Sequence, residues 1–188
     1  MLSYLTATLP KGTSPAARLL ALQCALRMNS HMQARLPTGL LRSLRLSTTA
    51  YPWQQLEQTR WLRTTPDNTT GITAELLDPT LLGQAPARPD RMHAAHWALL
   101  ASSAPEARTL GPQAQLASVY LAAHTDPRTG NGLEELDQMA RSCDTWPTEL
   151  AHTLDQLTAT TLLKTWQVSP YSGDLHWTLA RTTPPRIR

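Results

Sequence analysis

Leu56-Glu-Gln-Thr-Arg-Trp-Leu-Arg-Thr64 and Leu157-Thr-Ala-Thr-Thr-Leu-Leu-Lys-Thr165 align without a gap. Ser14-Pro15 opens the stretch before the first copy as Gly111-Pro112 opens the stretch before the second. A period near 100 residues means two copies of a domain rather than a solenoid. The 188 residues suit that reading, since they suffice for two small domains of roughly 80 residues each.

Working outward through the first copy, Ser14-Pro15 sets an N-cap hydroxyl before a proline at the first helical position. Leu19, Leu22 and Leu26 then recur at helical spacing over Ala16–Asn29, widened by Leu20 and Cys24. Pro37-Thr38 starts a second helix with Leu40, Leu41 and Leu44 inward, and Leu46-Ser-Thr-Thr49 makes a turn. A third helix is predicted over Tyr51–Arg60. Beyond it Trp61-Leu62-Arg63, a polar turn over Thr65–Gly71 and alternation at Ile72, Ala74 and Leu76 give a hairpin.

The second copy follows the same order. Leu116, Val119, Tyr120 and Ala123 share a helix face, and Asn131-Gly132 is expected to precede a helix bearing Leu133, Leu136 and Ala140. Asp144-Thr-Trp-Pro147 caps a helix with Leu150, Leu154 and Leu157. Lys164–Val168 and Leu175–Leu179 flank a Pro/Gly turn as a closing hairpin. Breakers Pro10 and Gly12 predict an extended N-terminal arm, Asp78–Pro89 reads as a linker, and Asp90–Ser103 as a helix.

Helix–helix–turn–helix followed by a hairpin resembles the winged helix-turn-helix superfamily, on Leu40-Leu-Arg-Ser-Leu-Arg-Leu-Ser47, Leu56–Thr64 and Leu157–Thr165. The resemblance implies a mainly α fold with short β-hairpin wings, built as tandem winged helix-turn-helix domains. Its parts would be an arm over 1–13, a basic domain over 14–78, a linker with a helix over 79–110, an acidic domain over 111–182 and a basic tail over 183–188. Tandem winged helices occur in plasmid replication initiators, in some transcription regulators, and in winged-helix condensin subunits that bind protein.

Charge divides unevenly along the chain. The overall balance is +3, but residues 1–66 hold eight cations (Lys11, Arg18, Arg27, Arg35, Arg42, Arg45, Arg60, Arg63) against Glu57 alone. That block stands at +7 and the remainder near −4, an asymmetry that points to an anionic partner for the first domain. Double-stranded DNA fits: a recognition helix needs small polar groups for base edges, flanked by cations for phosphates. Thr48, Thr49, Gln54 and Gln55 supply the first set, glutamine pairing bidentately with adenine. Arg42, Arg45, Arg60 and Arg63 supply the second, with Lys11 on the arm and Asn68 at the wing tip. Glu134, Glu135, Asp137, Glu149 and Asp155 make the second domain a poor DNA reader, and it is expected to pair with another copy as a homodimer, to pair with another protein, or to pack on the first domain.

No catalytic constellation, metal site or cofactor site is expected. His93-Ala-Ala-His96 has ligand spacing but no accompanying glutamate, and Cys24 and Cys143 fall in different copies. There is no phosphate-binding glycine loop and no nucleophile elbow. No run approaches the ~18–20 apolar residues of a membrane helix, and Met1-Leu-Ser-Tyr-Leu5 does not begin a secretion signal. With two cysteines, these features predict a cytoplasmic, nucleoid-associated protein. The function expected is sequence-specific transcription regulation. The alternatives are a plasmid or mobile-element replication initiator, or a protein–protein scaffold without DNA binding.

Overall fold

The computed structural model describes residues 1–47, 49–66 and 71–180 and shows one order of elements twice. In the first run, helices α1 (Leu2–Thr8) and α2 (Pro15–Arg27) lead to strand β1 (Gln33–Pro37). Helices α3 (Thr38–Ser43) and α4 (Tyr51–Gln58) and strands β2 (Leu62–Pro66) and β3 (Gly71–Leu76) complete it. After α5 (Thr80–Gln84) and α6 (Arg88–Ser102) the order returns as α7 (Pro105–Leu110), α8 (Pro112–Ala123), β4 (Asn131–Glu135) and α9 (Leu136–Cys143). It ends with α10 (Pro147–Ala159), β5 (Leu163–Val168) and β6 (Asp174–Leu179). About half the chain is helical, and the strands form two small antiparallel sheets, β1-β3-β2 and β4-β6-β5. Two compact units result, Met1–Leu100 and a second from Ala101 onward.

The repetition extends to single hydrogen bonds. At the end of α4 the Trp61 amide donates to the Leu56 carbonyl at 3.0 Å, and at the end of α10 Leu162 does the same to Leu157 at 3.0 Å. The residue before each, Arg60 (φ 55°) and Thr161 (φ 61°), sits in the left-handed region. Likewise Leu46 donates to Leu41 after Arg45 (φ 57°), as Thr145 does to Ala140 after Asp144 (φ 51°). Each of these helices closes by folding its last amides back onto carbonyls that its own turns leave unpaired.

The core of each unit is a helix buried on nearly every side. All of Ala17–Leu26 in α2 and Ala114–Leu121 in α8 are buried. In unit 1, Leu36 of β1, Leu40 and Leu41 of α3, Trp53 and Leu56 of α4 and Leu62, Ala74 and Leu76 of the hairpin are buried with it. In unit 2, Met139, Leu150, Leu154, Leu157, Leu163, Leu175 and Trp177 are the equivalent buried set. Fully burying one such leucine contributes roughly 1.5–3 kcal/mol. Ser14 caps α2 as the sequence implied, its hydroxyl accepting from the Ala17 amide at 3.3 Å.

Several expectations give way. The arm expected over 1–13 is helical over Leu2–Thr8 and lies against α2 with Leu5 and Leu9 buried. A helix of one or two turns is marginal by itself, and that burial stabilises it; Pro10 and Gly12 act only after it has ended. Each sheet has a third strand the hairpin pattern did not predict. Asn131–Glu135 is β4 rather than the approach to a helix, so Leu133 stands on a strand. The stretch expected over 79–110 as a linker with a helix holds that helix as α6, and the helix is tied into unit 1. Arg91 of α6 donates to Met28 O at 2.9 Å and Pro86 O at 2.6 Å, and Gln23 of α2 donates to Ala95 O at 3.3 Å. Unit 1 therefore runs on to Leu100, and α7 lies against α8. No helix among the described residues is long and apolar enough to cross a membrane.

Candidate nucleic-acid interface

Helix α4 presents two contrasting faces. Pro52, Trp53 and Leu56 are buried, and the helix packs on α2 and β2. Tyr51, Gln54 and Gln58 are exposed, and their spacing puts them on one stripe. The helix has one carboxylate, Glu57, and it is held: the Thr64 amide donates to it at 2.9 Å and the Thr64 hydroxyl donates to the same oxygen. The exposed stripe is thus uncharged and rich in groups that both donate and accept, the chemistry that reads base edges. Thr49 is exposed just before the helix. Thr48 and Asn68 lie outside the described residues.

The cations of unit 1 sort into two sets. Lys11, Arg42, Arg45, Arg60 and Arg63 are exposed, as is Arg35 on β1. Arg63 stands opposite Glu75 in the β2–β3 ladder with a 3.7 Å ion pair between well-exposed side chains, an arrangement worth little in water. Arg45 and Arg60 occupy the left-handed positions that close α3 and α4. Two members of the basic block are instead internal. Arg18 is 4% exposed, its guanidinium donating to Thr13 O at 3.1 Å and Pro10 O at 3.4 Å. Arg27 is half-buried and donates to Gln23 Oε1 at 2.9 Å; burial lowers its pKa. The surface block is correspondingly smaller than the sequence count.

Gln55 lies where the sequence placed it, on α4 beside Gln54, but both of its amide functions are used. Its Oε1 accepts from the Ser14 amide at 2.9 Å and its Nε2 donates to Gly12 O at 2.8 Å. Tyr51 and Gln58, which share the Gln54 stripe, were not singled out from the sequence. Their three- and four-residue spacing from Gln54 was the available signal. Nothing local in the sequence marks Gln55 as tied to a loop some forty residues earlier.

The matching face of unit 2 has opposite chemistry. On α10, His152 and Asp155 take the places of Tyr51 and Gln54, with Thr148 and Glu149 also exposed. Asp155 accepts from the Trp166 indole at 3.1 Å and Glu149 from the Thr145 hydroxyl at 2.8 Å. Glu134 receives the Tyr120 hydroxyl at 3.3 Å and lies 3.9 Å from His124, whose ring stacks on Tyr120. Burial, then the nearby Glu134 charge, raises the Tyr120 pKa. Large apolar side chains stand in solvent on both units, Tyr51, Leu82 and Leu100 among them on unit 1. The two most exposed, Trp146 at 73% and Tyr171 at 99%, are on unit 2, as is Leu133 at 57%.

His93 and His96 are exposed on α6, and no three His, Cys, Asp or Glu side chains gather as metal ligands among the described residues. Cys24 and Cys143 are buried thiols, and burial raises the Cys24 pKa far from thiolate formation at neutral pH. Comparison of the chain with protein-family models, with curated proteins and with solved structures found no match.

Proposed function

We propose that unit 1 is a winged helix-turn-helix that binds double-stranded DNA, with α4 entering the major groove and the chain acting as a sequence-selective transcription regulator. The reading rests on the uncharged stripe Tyr51, Gln54 and Gln58, with the exposed cations Arg42, Arg45 and Arg60 before and after it in the chain and the one carboxylate of the helix, Glu57, hydrogen-bonded to Thr64 off the stripe. The order helix–strand–helix–helix–strand–strand with sheet order β1-β3-β2 supports it. That arrangement leaves the last helix of the trio with a solvent face and a hairpin beside it. Tyr51, Gln54 and Thr49 contact bases in this reading, and Lys11, Arg42, Arg45, Arg60 and Arg63 hold phosphates. Unit 2 pairs with protein, a second copy of the chain in the first instance, because its equivalent helix carries Asp155 and its surface exposes Leu133, Trp146 and Tyr171.

Titration of the full chain against mixed-sequence duplexes over a range of salt tests the first claim. Affinity should fall steeply with salt, by about 0.9 in log–log slope per phosphate contact. Selection from a random duplex library should then recover a preferred sequence. A slope near zero, or no binding at low salt, overturns the reading.

A further inference from the structure

We infer that the turn Pro10–Ser14 is a rigid phosphate-contacting element of this interface, that Lys11 is its contacting side chain, and that Gln55 is a positioning residue for it rather than a reader of bases; the inference rests on the DNA-binding reading of unit 1. A bidentate contact to adenine requires the carbonyl oxygen and the amino group of a glutamine together. In Gln55 the first accepts from Ser14 N at 2.9 Å and the second donates to Gly12 O at 2.8 Å. Breaking both bonds to reach a base would cut the turn's hydrogen bonds to α4.

The same turn is held from its other side. The buried Arg18 guanidinium donates to Thr13 O and Pro10 O. The buried Thr13 donates to Pro10 O through its hydroxyl at 2.7 Å and its amide at 3.2 Å. Gly12 supplies the left-handed φ of 81° that lets the chain double back. Lys11 therefore lies between two anchored carbonyls, those of Pro10 and Gly12, with its side chain exposed. Because Gln55 neighbours Gln54 and is one helical turn from Tyr51 and Gln58, the turn borders the exposed stripe of α4. A cation there meets the backbone beside the groove that α4 would enter, and it does so with its main chain already ordered in the free protein. A lysine on a loose arm would surrender that freedom on binding.

Unit 2 shows that the fold does not require this clamp. The residue equivalent to Gln55 is Gln156, whose amide meets His152 Nε2 at 3.1 Å instead of a preceding loop. Gly111 stands at the place of Ser14 and the exposed Arg108 at the place of Lys11, so unit 2 keeps a cation there without the glutamine clamp.

The test uses the full-length protein and a mixed-sequence DNA duplex, with salt titrations of wild type, Lys11→Ala, Gln55→Met and the double variant. Lys11→Ala should weaken binding several-fold and flatten the log-affinity slope by about one. Gln55→Met removes no charge yet should flatten the slope by the same amount, and the double variant should add nothing further. Sequence discrimination in competition with a selected duplex should survive Gln55→Met and fall in Gln54→Ala. Gln55→Asn, too short to reach both Ser14 N and Gly12 O, serves in its place should the methionine variant not fold, and thermal melts check each protein. A wild-type slope in either the Lys11 or the folded Gln55 variant overturns the inference, as does loss of discrimination in Gln55→Met. Absence of salt-dependent binding by the wild type would instead sink the DNA-binding reading itself.

Discussion

The two units share one backbone and differ in what that backbone presents. The amides that close α4 and α10 bond to the same relative carbonyls, and so do those that close α3 and α9. Both sheets have the same order. Yet Gln54 is matched by Asp155, Tyr51 by His152, Arg45 by Asp144 and Arg60 by Thr161. The apolar positions dictate the architecture and are kept as apolar positions, Leu56 with Leu157 and Leu62 with Leu163. The exposed positions are free of that constraint, and it is there that the two units differ in charge. Function has to be argued from the exposed set, because the core is common to both units.

The sharpest way to break this comparison is to remove charge from each unit in turn. Replacing Arg42, Arg45 and Arg60 together by alanine should flatten the salt dependence of DNA binding by about three in log–log slope and nearly abolish binding at moderate salt. Replacing Arg128, Arg141 and Lys164 of unit 2, an equal number of exposed cations, should leave the slope unchanged. Equal losses from the two triple variants would mean that both units contact DNA.

A packing exchange between the sheets gives the next largest effect. In unit 1, Ala34 of β1 stands opposite Ala74 of β3, both buried. At the same place in unit 2, Gly132 stands opposite Trp177, whose indole donates to the Thr125 hydroxyl at 2.7 Å. A Cβ on Gly132 would lie 2.1 Å from that ring. Gly132→Ala should therefore cost about 1–3 kcal/mol, seen as a lowered melting transition. Ala34→Gly should cost roughly 0.5–1 kcal/mol through backbone entropy with no clash to relieve. An unchanged melt for Gly132→Ala would show that the indole can move aside.

That exchange also explains what the sequence concealed. The hairpins were legible from local signals: alternation at Ile72, Ala74 and Leu76 and at Leu175, Trp177 and Leu179, each beside a turn. Strands β1 and β4 were not, since their partners are distant in sequence, Gln33 opposite Glu75 and Asn131 opposite Thr178. In β4 the pattern even misleads. Hydrophobicity marks Leu133 as the inward residue, but the strand turns Gly132 inward beneath Trp177 and leaves Leu133 in solvent. Arg18 was misleading in the same way. It reads as a surface cation within an apolar run, and only the folded chain supplies the Thr13 and Pro10 carbonyls that let it be buried. Of the candidate interface, Gln54 follows from helix periodicity, and Arg42, Arg45 and Arg60 follow from charge counting. The engagement of Gln55 depends on a tertiary contact that no local pattern encodes.

A smaller effect concerns readout. Gln54→Ala should reduce discrimination by roughly 1–3 kcal/mol at one or two base positions, with folding changed by about 0.5 kcal/mol or less. Asp155→Ala, at the equivalent place in unit 2, should leave discrimination untouched. Competition between selected and random duplexes separates these outcomes; an unaltered specificity ratio in Gln54→Ala would move readout to Tyr51, Thr49 or the hairpin.

The smallest expected changes bear on the four left-handed residues that close α3, α4, α9 and α10. A residue with a Cβ pays roughly 1–2 kcal/mol in that conformation, whereas glycine adopts it freely. Glycine also loosens the unfolded chain, which offsets about 0.4–1 kcal/mol of the relief. Arg45→Gly, Arg60→Gly, Asp144→Gly and Thr161→Gly should thus each stabilise the protein by up to about 1 kcal/mol, read from denaturant midpoints. On stability alone the four sites are equivalent, because the hydrogen bonds that close each helix are main-chain bonds. They should part on DNA binding. The two arginine variants should each flatten the salt dependence by about one, while the Asp144 and Thr161 variants should not. If Arg45→Gly and Arg60→Gly gain stability and bind DNA as the wild type does, these cations are incidental to the interface, and the phosphate contacts must fall to Lys11, Arg42 and Arg63.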